Sequence, residues 1–498
     1  MCRIPYSPFQ VIFLATVWTV TPSTAPCSAD AKTPLDIGNR KQLFIDNSIV
    51  ASQHHAYRVL NQPVKHANPV LELVPDQEIG GDAPVMAGGA VMYDTENEQF
   101  KMWYQAVNYD WSKTYVGYAV SDDGIHWKLP NLGLIEHNGS KTNNIVFKNP
   151  AGEVAPAVFK DPVAKDPRRT FKMIYKRRGG VGSPGTGVGV AFSPDGIHWE
   201  IGPDRDVIPI ADSPHSVLWD PLLKRYVAHT RHNHQFPERL ERQVLQSEST
   251  DFIHWKRYGV IMKADEQDLI QDRQFYNMEW MRYEGLNIGF LAVYHTLPGM
   301  EVKTTRGLTW MDKVDIQLTI SRDGHHWQRA GNRKVFLPTG THPNDFDYGM
   351  IYVMQHPLLV GDEIWIYYTG YSGLHWATRR RERQGGVIGL ARLRRDGFVS
   401  IDAGEGTVTT RPFEMNGNQL IVNADAALGS LKVAVLGANG KALDGFSIDE
   451  SDTITGDNIR HVITWQGNRD LRHFKGKTIA LQFHLDRTKL YSFVFRSQ

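Results

Sequence analysis

The sequence predicts an all-β fold in which a five-bladed β-propeller is followed by a C-terminal β-sandwich. A turn motif that ends in tryptophan recurs every 56 to 72 residues, which is the length of one four-stranded blade with its loops. An alternating β-hairpin precedes each copy of the motif. After about residue 400 the motif stops, and short strands separated by Gly and Asn-Gly turns follow, a pattern typical of a sandwich.

Each complete copy of the motif has the form Ser-x-Asp-x-x-His-Trp and predicts a tight turn between two strands. The Asp side chain caps the turn, a Gly adopts the positive φ, and the Trp packs beneath the turn. These tryptophans are therefore predicted to be structural. Phe252 stands where the other copies have Gly, so we expect that turn to differ. Four complete copies and a worn fifth copy cover residues 121–127, 193–199, 249–255, 321–327 and 395–398.

Five inner hairpins agree with the five turns and therefore with five blades. Asp94, Asp161 and Asp220 end the first strand of three of these hairpins at equivalent positions, and are predicted to be turn residues. Residues 42–46 form a strand that we expect to close the ring by pairing with the last blade, because such pairing removes a free sheet edge. We assign residues 30–400 to the propeller and residues 401–498 to an accessory sandwich.

Residues 1–29 have the features of a secretory signal peptide. A positively charged residue precedes an apolar run over 11–20 that is too short to span a bilayer, and residues 27–29 fit the small-residue pattern of a cleavage site. We expect cleavage after residue 29 and a secreted or periplasmic protein, with a lipid anchor on Cys27 as the alternative. Cys2 and Cys27 are the two cysteines of the chain, so the mature protein would contain no disulfide.

Composition and charge exclude several classes of partner. The formal net charge is +1, with no long run of one sign, so the basic footprint of a nucleic-acid-binding protein is missing. No segment after the signal is long and apolar enough to cross a membrane. His229, His232 and His234 have a spacing that a metal ion could use, but no carboxylate accompanies them, and a pocket loop or plain surface is the preferred interpretation. We predict neither a metal nor a cofactor.

A second set of acids precedes the first strand of each blade, where propeller geometry places them at the mouth of the central channel. Like charges gathered at one axis would repel each other without a ligand or a cation. The alternative is that several of them cap strands or pair with arginines such as Arg231 and Arg273. The acids are Glu78 and Asp82 in blade 1, Glu153 in blade 2, Asp212 in blade 3, Asp272 in blade 4, and Asp345 and Asp347 in blade 5.

Two carboxyl groups across a pocket are what the hydrolysis of a glycosidic bond requires. One protonates the departing oxygen, and the other acts as a nucleophile or activates water. Aromatic side chains at the same rim could stack on sugar faces, and nearby arginine and histidine side chains could orient a hydroxyl group. The candidate catalytic residues are Asp82, Glu153, Asp212, Asp272 and Asp347, and the candidate carbohydrate-binding residues are Glu78, His215, Arg231, Tyr276, Asp345 and Trp376.

The turns, the five blades and the trailing sandwich resemble glycoside hydrolase families 32 and 43. The chain is more closely similar to secreted bacterial proteins described as family 32 N-terminal-domain-like, and this similarity covers nearly the whole mature chain. The residues that carry it are 43–47 (Leu-Phe-Ile-Asp-Asn), 62–66 (Gln-Pro-Val-Lys-His), 68–71 (Asn-Pro-Val-Leu), 362–368 (Asp-Glu-Ile-Trp-Ile-Tyr-Tyr) and 397–404 (Gly-Phe-Val-Ser-Ile-Asp-Ala-Gly).

This resemblance implies a glycosidase with a nucleophile or base on blade 1, a stabilising Asp on blade 2 and a Glu acid on blade 3. By position these roles fall to Asp82 or Glu78, to Glu153, and to Asp212. The Asn-Asp-Pro-Asn-Gly, Arg-Asp-Pro and Glu-Cys signatures of family 32 are absent from the sequence, and Asp212 stands where Glu is expected. The resemblance therefore implies the fold and a carbohydrate substrate, but not a sucrose or fructan specificity.

A carbohydrate-binding propeller without catalysis is the main alternative function. Two acids within roughly 5–10 Å of each other across an open pocket would favour a hydrolase, whereas acids buried in arginine pairs would favour a binding protein. A sialidase is less well supported, because it needs an arginine triad and a Tyr–Glu pair. Alternation along a strand would point Tyr276 and Glu279 to opposite faces.

Overall fold

The computed structural model of the chain describes residues 34–72, 85–107, 114–149, 154–177, 187–235, 240–269, 272–296, 313–375 and 386–497. Strands joined by turns make up these residues, with short 3-10 segments at Pro167–Arg169, Gly331–Arg333 and Arg472–Phe474. The predicted all-β class is confirmed. No helix within the described ranges is long and apolar enough to cross a membrane. The predicted signal segment, residues 1–29, lies outside them.

Five groups of strands, which we call blades 1 to 5, follow one another along the described chain. The first three are separate antiparallel sheets, whereas the last two share one ten-stranded sheet through the parallel pairing of Val314 with Met350. Blade 1 contains Val85–Asp94, Gln99–Val107, Thr114–Ser121 and Ile145–Lys148; blade 2 contains Ala157–Lys160, Phe171–Lys176, Gly187–Ser193, Glu200–Ile201 and Ile208–Pro209; blade 3 contains Asp212–Asp220, Arg225–Gln235, Leu240–Ser249 and Trp255–Met262. Blade 4 contains Gln274–Tyr283, Leu286–His295, Lys313–Ser321, Gln328–Arg329 and Val335–Leu337; blade 5 contains Met350–Val353, Leu358–Val360, Glu363–Tyr371, Val387–Arg394 and Val64–Lys65. The first strand of each blade is its inner strand.

The sandwich takes more of the N-terminal chain than the sequence predicted. Val50–Leu60 pairs along its length with Val399–Thr410, and Gln42–Leu43 pairs with Phe493 and Ser492. The expectation that residues 42–46 close the ring is therefore wrong. Val64–Lys65 is the strand added to blade 5, opposite Ala391 and Arg392.

The sandwich core is built on long strands that bend at irregularities in register. Thr478–Arg496 pairs with Val399–Thr410 on one side and with Gln419–Leu436 on the other, so it is a central strand of this sheet. Asp396, from the worn fifth motif, ties this domain to the propeller. Its fully buried carboxylate accepts hydrogen bonds from Lys41 and Ser492. The strands are Leu35–Asp36, Gln42–Leu43, Val50–Leu60, Val399–Thr410, Phe413–Glu414, Gln419–Leu436, Ile454–Val462 and Thr478–Arg496.

The four complete turn motifs share one hydrogen-bond pattern. In the first copy Ser121 Oγ accepts from the amide of Gly124 at 2.9 Å, and Asp123 Oδ1 accepts from the amides of Ile125 and His126 at 2.8 Å. The tryptophans that end the motifs are half-buried and pack against the blade cores. Their predicted structural role is confirmed.

Phe252 forms the same turn as the glycines of the other copies, so the expectation of a different turn is wrong. Its φ is 68°, against 73° to 81° for those glycines, and its amide donates to Ser249 Oγ at 2.9 Å. The strain of this left-handed conformation, roughly 1–2 kcal/mol, is offset by burial. The ring is fully buried, 5.2 Å from the ring of Tyr226 and 5.7 Å from that of Phe159.

Contacts between these turns and the neighbouring blades close the ring. Trp103 Nε1 of blade 1 donates to the carbonyl of Gly196 in the blade 2 turn at 2.6 Å. Tyr367 of blade 5 donates its hydroxyl to the carbonyl of Gly124 in the blade 1 turn at 2.7 Å. Blade 5 is therefore joined to blade 1 by the same kind of contact that joins blade 1 to blade 2.

The side chain of Gln355 lies at the axis, where it links the inner strands of several blades. Its backbone amide donates to Gly89 O in blade 1 at 2.9 Å. Its side-chain Nε2 donates to Val158 O in blade 2 at 3.1 Å and to Val217 O in blade 3 at 2.9 Å. A fully hydrogen-bonded buried amide fixes the spacing of these strands, and so the spacing of the side chains at their ends.

The three acids predicted to be turn residues are confirmed as such. In each case the carboxylate accepts a hydrogen bond from the backbone amide two residues further on, as in an Asx turn. The pairs are Asp94 with Glu96 at 3.1 Å, Asp161 with Val163 at 3.1 Å and Asp220 with Leu222 at 2.7 Å.

Candidate functional site

Side chains from four blades converge at the end of the inner strands where the blade 3 strand begins. We call Lys176, Asp212, Arg231, Tyr276 and His375 the rim cluster. Lys176 ends the second strand of blade 2, and Asp212 begins the inner strand of blade 3 directly opposite Arg231. Tyr276 is on the inner strand of blade 4, and His375 follows the strand Glu363–Tyr371 of blade 5.

Asp212 is the centre of the rim cluster and is held as a carboxylate. Only 3% of the residue is exposed. Lys176 Nζ lies 3.1 Å from its Oδ1, and Arg231 donates to its Oδ2. Burial by itself would raise the pKa, but the positive charges of Arg231 and Lys176 outweigh that effect and hold the pKa of Asp212 well below its usual range. Asp212 is therefore ionised at every physiological pH.

Tyr276 contacts the rim-cluster residues of both blade 3 and blade 5. The guanidinium carbon of Arg231 lies 4.3 Å from the centre of its ring, a cation–π distance. His375 Nε2 is 3.0 Å from the Tyr276 hydroxyl. A bulge between Phe275 and Asn277 places Tyr276 out of the regular ladder, which is how a strand commonly re-aims one side chain.

Further aromatic rings form a wall beside Tyr276. The ring centre of Tyr352 is 5.3 Å away and that of Tyr294 is 6.2 Å away. The guanidinium carbon of Arg242 is 5.4 Å from the centre of the Tyr294 ring. Tyr294 and Tyr352 are buried, so they pack behind Tyr276, whose ring is partly exposed.

His215 lies next to the cluster and joins blade 3 to blade 2. It is buried, and its Nδ1 is 3.3 Å from Ala155 O. Burial lowers the pKa of His215 to about 4, and the nearby charges of Lys176 and Arg231 act in the same direction. The imidazole is therefore neutral at neutral pH, and the predicted position of His215 near Asp212 and Arg231 agrees with the structure.

Glu279 is a second buried carboxyl group, one that was not among the residues predicted for the site. It lies on the inner strand of blade 4, with 2% of the residue exposed. Burial raises its pKa to about 8, although hydrogen bonds from the side chains of Ser216 and Asn277 partly oppose this. Ser216 belongs to the inner strand of blade 3. Two neighbouring inner strands thus carry an ionised carboxylate, Asp212, and a protonated carboxylic acid, Glu279.

Asp272, the predicted catalytic acid of blade 4, is paired with a histidine of the same blade. Asp272 Oδ1 is 2.7 Å from His295 Nδ1, and Asp315 Oδ2 is 2.9 Å from His295 Nε2. Burial would lower the pKa of His295, but hydrogen bonds to both carboxylates outweigh it and raise the pKa to about 10. The imidazolium therefore binds both acids at neutral pH.

The two predicted acids of blade 5 also have local partners. Asp347 Oδ2 lies 2.7 Å from Lys65 Nζ on the outermost strand and accepts a hydrogen bond from the Tyr368 hydroxyl at 2.9 Å. Asp345 accepts from the amide of His342 at 2.8 Å and so stabilises its own turn. Among the described residues, no hydrogen bond or ion pair joins Asp212, Asp272 and Asp347 to one another. The remaining candidates Glu78, Asp82, Glu153 and Trp376 lie outside the described residues.

The histidines at 229, 232 and 234 do not form a metal-binding face. His229 is buried, its ring centre 5.4 Å from that of Trp280 and its Nε2 3.3 Å from Gln246 Oε1. Across the described part of the chain, no group of three histidine, cysteine or acidic side chains is arranged to hold a metal ion.

Comparison with known proteins gives structural likeness only. No protein-family model and no curated protein matches the chain. Among solved structures, a glycoside hydrolase is 15% identical with a TM-score of 0.45, covering 67% of this chain and 92% of that chain. An N-acetylgalactosamine deacetylase from F. plautii, in complex with blood group B trisaccharide, is 13% identical with a TM-score of 0.46, covering 68% and 96%. A thermostable family-43 glycoside hydrolase is 12% identical with a TM-score of 0.42, covering 66% and 96%. At these scores they do not decide what this chain does.

Proposed function

We propose that the chain is a glycoside hydrolase that cleaves a poly- or oligosaccharide at the rim cluster, with Asp212 as the ionised carboxylate and Glu279 as the proton donor. The observation that carries this proposal is the contrast between two buried carboxyl groups on neighbouring inner strands: Asp212 is paired with Lys176 and Arg231, whereas Glu279 has no ion pair among the described residues. Cleavage of a glycosidic bond needs one protonated carboxyl to donate to the leaving oxygen and one carboxylate on the other side. Environments that push two pKa values apart assign those roles.

Asp212 fits the carboxylate role and not the acid role that the family resemblance implies. The charges of Lys176 and Arg231 keep it ionised at working pH, and an ionised group has no proton to give. Its negative charge suits the stabilisation of the oxocarbenium-like transition state, in which the sugar ring becomes positive. Arg231 and Lys176 fix the orientation of that carboxylate.

Glu279 fits the acid role because burial keeps it protonated at neutral pH. A general acid works best when its pKa lies near the operating pH, where it both holds a proton and releases it readily. Tyr276, whose ring is partly exposed, supplies stacking surface for the sugar, and Tyr352 packs behind it. The predicted carbohydrate substrate is consistent with this set of groups.

A carbohydrate-binding protein without catalysis is the second candidate. The observation that favours it is that Asp212, Asp272 and Asp347 each contact a cationic side chain. Acids neutralised in this way orient a ligand without reacting with it. The two candidates differ in whether sugar chains are shortened.

The test is a screen of the purified full chain against polysaccharides and aryl-glycosides with reducing-sugar detection. We expect release from at least one substrate, and a loss of about 10²-fold or more in kcat for Glu279→Gln, the range attributed to a general acid. Glu266→Gln, at an exposed position near blade 4, is the matched control and should retain full activity. Binding without release from any substrate would favour the second candidate, and full activity of Glu279→Gln would overturn the assigned acid.

A further inference from the structure

A cleft of about 770 Å³ lies between blade 5 and the sandwich. One wall is the outermost strand and following residues of blade 5, including Val64 and Ala67. The opposite wall is the sandwich strand Ile454–Val462. The volume falls within the range of small-molecule binding sites.

Two ion pairs between the domains connect the walls of this cleft. Arg394 Nη1 lies 2.5 Å from Asp457 Oδ1, and Arg460 Nη2 lies 2.7 Å from Asp362 Oδ1. Each pair joins a propeller residue to a sandwich residue. Both pairs are partly or largely exposed, so they mark the junction of the two domains and add little rigidity to the cleft.

The charges that line the cleft are balanced. Three cationic side chains, Lys65, Arg392 and Arg394, accompany three acidic ones, Asp362, Glu363 and Asp457, and all of them except Arg392 and Glu363 take part in ion pairs among the described residues. A cleft without net charge does not select a polyanion, so nucleic acid and heavily sulfated glycans are poor candidates. Hydroxyl groups both donate and accept, and a neutral polyhydroxyl ligand matches such a lining.

Two features of the lining point further to a sugar. The guanidinium carbon of Arg392 is 4.7 Å from the centre of the Trp365 ring, which fixes its plane, and Arg392 lines the cleft without an ion pair among the described residues. The side chain of Val64 is apolar, and 75% of that residue is exposed at the cleft. A fixed donor beside an exposed apolar surface suits the edge and the face of a sugar ring.

The cleft is far from the rim cluster. Glu363 begins and Tyr371 ends the same nine-residue strand, which spans about 26 Å at 3.3 Å per residue. The ring of Tyr371 is 6.1 Å from that of Tyr352, in the aromatic wall of the rim. A single sugar cannot reach both places, but a polysaccharide chain can.

We propose that this cleft binds a neutral oligosaccharide segment of the polymeric substrate, outside the catalytic site. The proposal rests on the proposed function in one respect, that the ligand of the protein is a carbohydrate. Binding a polymer at two places raises its effective concentration at the rim cluster without any new contact there. The cleft should therefore act on polymers and not on small substrates.

The test uses Ala67→Trp, which fills the cleft from an exposed position, and Ala51→Trp, an exposed position in the sandwich outside the cleft, as the matched control. Affinity electrophoresis in native gels cast with starch, xylan, arabinan or galactomannan measures binding without requiring hydrolysis. We expect at least one polymer to retard the wild-type chain, with about ten-fold weaker binding for Ala67→Trp and no change for Ala51→Trp. Aryl-glycoside turnover should be the same in all three proteins.

The outcomes separate the two proposals. Weakened polymer binding of Ala67→Trp in a protein that hydrolyses nothing would support the cleft and overturn the hydrolase. Equal retardation of Ala67→Trp and the wild-type chain, or no retardation by any of the four polymers, would overturn the cleft proposal whatever the activity. A loss of aryl-glycoside turnover in Ala67→Trp would also overturn it, because the effect would then not be confined to polymers.

Discussion

Replacing Glu279 by Gln should change how the stability of the protein depends on pH. The pKa of Glu279 is about 8 in the folded chain, against an ordinary value of 4.5 that applies when the chain is unfolded. Below about pH 4.5 both states hold the proton. As the pH rises from there to about 8, the unfolded state releases the proton while the folded state keeps it, so the free energy of unfolding falls. Above about 8 the loss is complete.

The size of this effect follows from the two pKa values. At 1.36 kcal/mol per pH unit, the difference corresponds to at most roughly 5 kcal/mol. Glu279→Gln keeps the shape of the side chain but cannot ionise. Relative to the wild-type chain, the variant should therefore gain up to roughly 5 kcal/mol of stability between acidic and alkaline pH.

Urea unfolding of both proteins, followed by tryptophan fluorescence at a series of pH values, measures this difference. Other titrating groups, His295 among them, are common to both proteins and cancel in the comparison. A stability difference that stays constant from about pH 5 to about pH 9 would refute the reasoning. Glu279 would then be ionised or exposed in solution, and its place as the proton donor would be lost as well.

Substitutions at three further positions test individual contacts. Phe252→Gly, which restores the glycine of the other turns, should lower the free energy of unfolding by about 2–4 kcal/mol, because the lost ring burial exceeds the relieved strain. Phe252→Ala keeps the strain and should be less stable still. An unchanged urea midpoint for Phe252→Gly would contradict this. Asp161→Asn removes the carboxylate that buried Lys172 contacts and should cost about 3–5 kcal/mol in unfolding experiments; its folded fraction should retain normal kcat, and impaired turnover would argue against a turn role. Tyr276→Phe loses the hydrogen bond to His375 and should raise KM about two- to ten-fold in steady-state assays. An unaltered KM would contradict this prediction.

The repeated turn motif made the propeller predictable because its chemistry is local. A capping Asp and its backbone partners lie within a few residues of one another, so the sequence contains the whole interaction. The N-terminal strand that is added to blade 5 has no such signature. Val64–Lys65 pairs over two residues with a strand more than 300 positions away, and nothing in residues 42–46 indicated that tertiary packing would place them in the sandwich.

The candidate site was predictable in part for the same reason. The repeat alignment placed Asp212, His215, Arg231 and Tyr276 in one region, and the structure brings them together. The repeat alignment could not predict which cations pair with Asp272 and Asp347, because His295 and Lys65 come from other strands. Glu279 was considered only as a partner of Tyr276 and was set aside because strict alternation separates the two, whereas the strand carries a bulge between Phe275 and Asn277. Its raised pKa depends on burial, which a sequence does not display.

The pH dependence of kcat/KM on the best substrate of the screen tests the central claim most directly, because it reports the ionisation of both carboxyl groups in the free enzyme. The proposed pair predicts a rate that falls above about pH 8 as Glu279 loses its proton, and that shows no acid limb from Asp212, whose pKa lies well below its usual range. Glu279→Gln should lose both the rate and the alkaline limb. A rate that rises through about pH 4 to 5 and then stays level to about pH 10, or a Glu279→Gln variant with the wild-type profile, would contradict the account.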